Sequence, residues 1–128
     1  MEFSGKTAFV TGAANGIGLG ICRALARNGV NIVLADIERA QLEIARSELA
    51  TFNVRTRAIE VEMVCSDPER HRERVEMRVA DIPGHRVPTW QEVVDRDYQA
   101  WQGDRLVIDT AFLRVDQSVK LIRLRAGA

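Results

Sequence analysis

Thr11-Gly12-Ala13-Ala14-Asn15-Gly16-Ile17-Gly18 decides the fold. The short apolar run before it, Thr7 to Thr11, reads as a strand buried on both faces, as in parallel sheets. After it, Gly16 to Asn28 has helical spacing, with Ile17, Ile21 and Ala24 or Leu25 on one face. Asn28-Gly29 ends that helix, because glycine takes the left-handed cap conformation without a Cβ penalty. Asn31 to Ala35 forms a second buried strand closed by Asp36. Glu38 to Phe52 is a second helix with the stripe Leu42, Ala45, Leu49 and Phe52, and Arg57 to Cys65 is a third strand. Strand and helix alternate from the start, which predicts a parallel sheet with right-handed crossovers.

Each glycine of the turn has its own physical task. Gly12 permits the tight turn off the strand, Gly16 lets backbone approach a pyrophosphate, and Gly18 lets the helix pack closely on the strand. Unpaired N–H groups at the helix start, with the helix dipole behind them, favour an anion by about 0.3–1 kcal/mol. Asp36 stands at the end of the second strand, where a carboxylate accepts a hydrogen bond from a ribose 2′-hydroxyl and repels a 2′-phosphate. Asn15 is neutral and Ile37 follows the acid, so no cation is ready for that phosphate. The expected cofactor site is therefore Gly12, Asn15, Gly16, Ile17, Gly18 and Asp36, with NAD favoured over NADP and bound weakly.

Phe3 through Asp36, with its Thr11-Gly12-x-x-x-Gly16-x-Gly18 signature, resembles the opening of the short-chain dehydrogenase/reductase family, a Rossmann-type fold. The resemblance runs to about residue 61. It implies an acid after the third strand that reads the adenine amino group, with Glu62 and Asp67 as candidates. It also implies an Asn-Asn-Ala-Gly segment and a catalytic Tyr-x-x-x-Lys, and neither is found: Tyr98 is followed four places on by Gln102. With no lysine to lower its pKa, Tyr98 has no means to act as a base near neutral pH, and reads as a half-buried residue on an amphipathic helix. No catalytic residue is assigned.

Beyond Cys65 the texture changes. Ser66-Asp67-Pro68-Glu69 is a helix start, with Ser66 as the cap and Pro68 in the first turn. A charge-dense helix follows, with Val75 and Val79 as its apolar side. Asp81 to Pro88 is a loop, and Thr89-Trp90-Gln91-Glu92 is a capping box opening a helix to about Trp101. Arg105 to Asp109 is a fourth strand, and Val115 to Arg125 a closing helix with Val119 and Ile122 inward. Residues 61 to 125 resemble the C-terminal half of small P-loop kinases of the gluconate- and adenylate-kinase type. That resemblance implies Arg74, Arg78 and Arg86 as lid candidates, although solvated helix faces account for them better. The phosphate-gripping loop of such kinases is missing. Gly5-Lys6-Thr7 precedes a strand instead of a helix and lacks its upstream glycine, so it is no Walker motif. Asp109 and Thr110 are polar rim candidates at a strand end.

The chain has 128 residues with 18 basic and 18 acidic side chains, so it has no net charge to recruit nucleic acid. Cys22 and Cys65 fit neither a disulfide nor a metal pattern and read as buried free thiols of a reducing compartment. His71 and His85 have no ligand partners at metal spacing, so no metal is expected. No signal peptide and no apolar run long enough for a membrane span are found, which predicts a cytoplasmic protein, or a recombinant one if engineered.

These observations lead to one domain over residues 1–128, with a Rossmann-like half (1–60) joined to a kinase-like half (61–128). The predicted architecture is an α/β three-layer αβα sandwich. Its four parallel strands take the order 2-1-3-4 if the third strand packs beside the first, and 3-2-1-4 if it stays beside the second; the former is preferred. Met77, Phe112, Leu113 and Leu124 are apolar where polar residues would be expected, and read as cover for a surface left by a missing half. The predicted function is an engineered chimeric scaffold with no native catalysis, binding at most a dinucleotide or phosphate-type anion, with a homodimer as the expected assembly. The alternatives are an NAD-dependent oxidoreductase fragment lacking its second half and an ATP-binding kinase remnant.

Overall fold

The computed structural model describes residues 2–127. β1 (Thr7–Thr11), α1 (Gly16–Arg27), β2 (Asn31–Ala35), α2 (Arg39–Ala50) and β3 (Thr56–Ile59) alternate as the hydrophobic pattern requires. β2 is central: it pairs in parallel with β1, Phe9 opposite Val33, and with β3, Leu34 opposite Ala58. Its side chains alternate between two cores. Ile32 and Leu34 pack under α1 and α2 against Cys22, Ala26, Leu42, Ala45 and Leu49, while Val33 and Ala35 face the opposite side with Ile59. Each fully buried Ile or Leu among them contributes about 1.5–3 kcal/mol. Burial also pushes the Cys22 thiol up in pKa and leaves it inert.

The third strand is broken in two. After β3, Glu60 interrupts the ladder and β4 (Val61–Val64) continues in the same direction, pairing in parallel with β5 (Leu106–Asp109). Arg55 offers its carbonyl to Ile32 at 2.9 Å, whereas Glu60 and Val64 offer theirs to Leu106 at 2.9 Å and Thr110 at 2.8 Å. Residues an odd number apart on an extended strand aim their carbonyls at opposite edges, so β5 joins the edge away from β2. Neither expected order is found. The preferred 2-1-3-4 fails because β3 lies beside β2 and not β1. The alternative 3-2-1-4 places β3 correctly but puts the last strand beside β1, where the structure has it beside β4. The sheets have three and two strands, and β1 bonds to β2 alone among the described residues.

α5 (Val115–Ala126) covers the second face: Ile122 and Ala126 pack on Val33, Ala35 and Ile59, completing three layers. Its inward side is Ser118, Ile122 and Ala126, not Val119, which is half-exposed. α1 is also turned from the expected stripe. Cys22 and Ala26, flanked by Leu19 and Leu25, meet the sheet, and Ile17 is 85% exposed. At the helix start only glycine fits, because a Cβ on Gly18 would meet the Gly12 carbonyl. α3 (Pro68–Glu76) is capped by Asp67 instead of Ser66, its carboxylate accepting from the amides of Glu69 and Arg70 at 3.0 and 3.1 Å. Val79 lies beyond this helix and is exposed. α4 is only Trp90–Val94, so the expected helix to Trp101 is corrected to a short helix followed by a loop, and Tyr98 lies on that loop, exposed. Cys65 is half-buried. Met77, Phe112 and Leu124 cover nothing, since they are themselves exposed.

Candidate nucleotide site

The turn between β1 and α1 takes the shape its glycines allow. Gly12 and Gly16 have φ of +62° and +53°, left-handed values that a residue with a Cβ adopts at a cost of roughly 1–2 kcal/mol. A Cβ added at either would meet nothing within 4 Å, so the space above the turn is open to a ligand. Gly18 is the opposite case. A Cβ there would lie 2.1 Å from the Gly12 carbonyl oxygen, so the start of α1 rests directly on the turn. Ala13 and Ala14 are buried beneath, and the Ala13 amide donates to the Ala35 carbonyl at 3.3 Å.

Asn15 is the extended N-cap of α1, and its side chain makes no capping bond. The first turn carries no acidic residue, so no carboxylate of the helix occupies the positive end of the dipole. Asp36 closes the other side. One carboxylate oxygen accepts from the Ala14 amide at 2.9 Å, and the other from the Ile37 amide at 2.7 Å and the Glu38 amide at 3.3 Å. Sequence reasoning placed Asp36 at a ribose and missed this second task, in which it ties the glycine turn to the end of β2. A carboxylate offers about four acceptor positions, so capacity for a ribose hydroxyl remains.

The nearest arginine after Asp36 is engaged elsewhere. Arg39 Nε lies 2.7 Å from Glu60 Oε1, an ion pair whose angle leaves that oxygen without a formal hydrogen bond, and Arg39 Nη2 donates to the Asp104 carbonyl at 3.0 Å. The two adenine-reading candidates are also occupied. Asp67 caps α3. Glu62, buried, accepts from the Tyr98 hydroxyl and from Arg105 Nε at 2.5 Å. The hydrogen bonds of Tyr98 and Arg105, assisted by the Trp101 amide, hold the Glu62 carboxyl below its ordinary value, and the same contact with Glu62 raises the Tyr98 phenol. A phenol that donates to a carboxylate and titrates high is no general base.

The sign for Glu62 follows from linkage. Its folded pKa is depressed, so its contribution is complete above the ordinary value of 4.5 and is lost as pH falls through the lower folded value. Acid titration of the parent is therefore expected to release the 95–105 loop below about pH 4.5, read as a change in tryptophan emission. The Glu62→Gln variant is expected to show no such step, and an identical step in both would exclude Glu62 as its source.

Other sequence candidates are placed apart from the turn. Arg74 bonds Thr110 through both its hydroxyl (2.9 Å) and its carbonyl (2.7 Å), and Arg86 pairs with Glu92 at 2.7 and 2.8 Å. Arg86, with the Thr89 amide, holds the Glu92 carboxyl at a pKa of about 2. Arg78 is exposed. These arginines are structural clips and surface groups, not a shared lid. Asp109 accepts from the amides of Ser66 at 3.1 Å and Ala111 at 3.0 Å, fastening the end of β5. His71 packs edge-on against Trp90 at 5.2 Å. Among the described residues no group of three or more His, Cys, Asp or Glu could hold a metal ion, and no helix is long and apolar enough to cross a membrane.

The parallel sheet with helices on both faces and a glycine turn at the carboxyl end of β1 defines a Rossmann-like α/β unit. The family profile of short chain dehydrogenase matches residues 6–84, more than half of the chain, and the chain belongs to that family. It is 51% identical over 47 residues to D-beta-hydroxybutyrate dehydrogenase of Cupriavidus necator, covering 34% of this chain and 18% of that protein. It is 53% identical over 48 residues to galactitol 2-dehydrogenase (L-tagatose-forming) of Cereibacter sphaeroides, covering 38% and 19%. These matches span about a fifth of each relative's length. A crystal structure of L-sorbose reductase from Gluconobacter frateurii, complexed with NADPH and L-sorbose, aligns with a TM-score of 0.45 at 36% identity, over 58% of this chain and 28% of that one.

Two expectations are corrected by these findings. The family pattern extends through β4 and α3 to residue 84, past the limit of about residue 61 that the sequence resemblance implies. The reading as a non-catalytic engineered scaffold is overturned, because the family and these relatives are dehydrogenases, which are enzymes.

Proposed function

We propose that the chain is the dinucleotide-binding part of a short chain dehydrogenase, one that takes NAD in preference to NADP and serves hydride transfer between NAD and a hydroxyl-bearing substrate. The observation that carries this reading is Asp36, a carboxylate held by the Ala14 amide beside the open glycine turn, with Arg39 drawn away to Glu60 and Asp104. The residues fit the cofactor: the turn leaves room above Gly12 and Gly16, the helix start has no competing acid, and Asp36 keeps acceptor capacity. The first-turn amides of α1 would hold the pyrophosphate and Asp36 the adenosine ribose.

When bound, NAD supplies the acceptor for the hydride leaving the substrate carbon. The substrate hydroxyl proton must pass to a base, and Tyr98 is not that base while it donates to Glu62. The names of the two relatives point to secondary alcohols on a hydroxy acid or a polyol as the substrate class.

Calorimetric titration is expected to show NAD binding at least tenfold tighter than NADP. Gly16→Val is expected to abolish NAD binding, since valine at a φ of +53° strains the backbone and projects a side chain into the phosphate space. Equal affinity for the two cofactors, or undiminished binding by the variant, would refute the assignment.

A further inference from the structure

The Glu62 cluster has an effect beyond its own hydrogen bonds. It ties the loop between α4 and β5 to β4 at Tyr98 and at Arg105, on either side of Trp101. Trp101 thereby lines an open cavity of about 370 Å³ shared with Thr11, Gly12, Asp36 and Ile37. The other walls, among them Phe9, Val61, Met63 and Ile122, are apolar. The lining thus combines the acid that would hold the adenosine ribose with an indole, a phenyl ring and aliphatic side chains. A mostly apolar cavity with a few polar groups suits a planar heterocycle attached to a polar sugar. Neither acid that a family pattern would offer to the adenine amino group lines this cavity: Glu62 is buried in the loop anchor and Asp67 caps α3. Stacking and apolar contact are what remain to recognise the base. Trp101 lies outside residues 6–84, so the family match assigns it no part.

We infer that Trp101 is the adenine-stacking wall of the nucleotide site, carried there by a strap anchored on Glu62. This rests on the proposed dinucleotide site, and the nicotinamide end of the cofactor takes no part in it. Trp101 is a binding residue; Tyr98 and Arg105 act through Glu62 as positioning residues.

The test uses the full chain with Trp90→Phe, which keeps an aromatic ring against His71 and leaves Trp101 as the sole tryptophan. NAD and AMP are expected to quench its emission, and nicotinamide mononucleotide to leave it unchanged. Trp101→Ala is expected to raise the Kd for both NAD and AMP about tenfold, and Trp101→Phe to restore most of it, since stacking on a base needs a ring. Calorimetric binding of NAD with unquenched emission, or a Trp101→Ala Kd within twofold of the parent, overturns the stacking role and leaves the glycine-turn site standing. Quenching by nicotinamide mononucleotide but not by AMP also overturns it, by placing the wrong end of the cofactor at Trp101. No binding of NAD by the parent removes both. If Trp101→Ala fails to fold, the quenching experiment decides alone.

Discussion

Gly18→Ala is expected to cost the domain at least about 1–3 kcal/mol, the range for forcing extra atoms into a packed site, and to remove nucleotide binding with it. The added Cβ would stand 2.1 Å from the Gly12 oxygen, 2.7 Å from its carbon and 3.2 Å from the Ala13 nitrogen. All three are backbone atoms, so no side chain can rotate aside. Either the start of α1 lifts off the turn or the turn moves into Ala13 and Ala14, which are already buried. Both routes disturb the amides that would face a phosphate. Gly20→Ala supplies the contrast. Gly20 lies in the same helix with nothing within 4 Å of an added Cβ, so this variant is expected to gain roughly 0.5–1 kcal/mol from helix propensity. Urea unfolding of parent and both variants measures the two effects. A Gly18→Ala protein as stable as the parent would contradict the close approach of helix and turn.

Asp36→Ala is expected to act on stability and on cofactor choice together. Loss of the carboxylate leaves the Ala14 amide, on a residue only 4% exposed, without its acceptor. An unpaired buried donor of this kind costs about 1–3 kcal/mol. NAD affinity is expected to fall about tenfold or more as the ribose contact disappears, one decade per ~1.4 kcal/mol. NADP affinity is expected to fall less, because the repulsion of the 2′-phosphate disappears too. Asp36→Asn separates the two roles: an amide oxygen can still accept from Ala14, so stability is largely kept, but the charge that disfavours NADP is gone. Thermal melting with calorimetry on both cofactors reads the result, and an unchanged ratio of NAD to NADP affinity in Asp36→Ala would rule out Asp36 as the selector.

The first sixty residues were legible because their signals are local. A strand, a glycine turn, a helix stop at Asn28-Gly29 and an acid at Asp36 all act within a few residues of themselves. Even here tertiary contact overrode pattern once: Ile17 and Ile21 look like a core stripe, yet the helix meets the sheet through Cys22 and Ala26, flanked by Leu19 and Leu25. The second half was less legible because its decisive contacts are distant in sequence. Glu62 reaches Tyr98 and Arg105 across 36 and 43 residues. Nothing in the sequence around Tyr98 announces that its hydroxyl is occupied, or that the helix before it ends at Val94. The mixed motifs after Cys65 also suggested a function without catalysis, where the match over residues 6–84 places the chain in the short chain dehydrogenase family.

By itself, then, the sequence determined the alternating parallel architecture of the first half, the glycine turn and the acid at Asp36 that closes the second strand. Each of these depends on backbone conformation or on the periodicity of neighbouring side chains. Tertiary structure alone decided the rest. It broke the third strand at Glu60, placed β5 on the edge away from β2, gave Asp36 its hold on the Ala14 amide, and brought Trp101 to the cavity beside the turn. Those outcomes depend on which strand edge remains free and on which buried carboxylate finds donors, and both are settled only when segments distant in the chain meet.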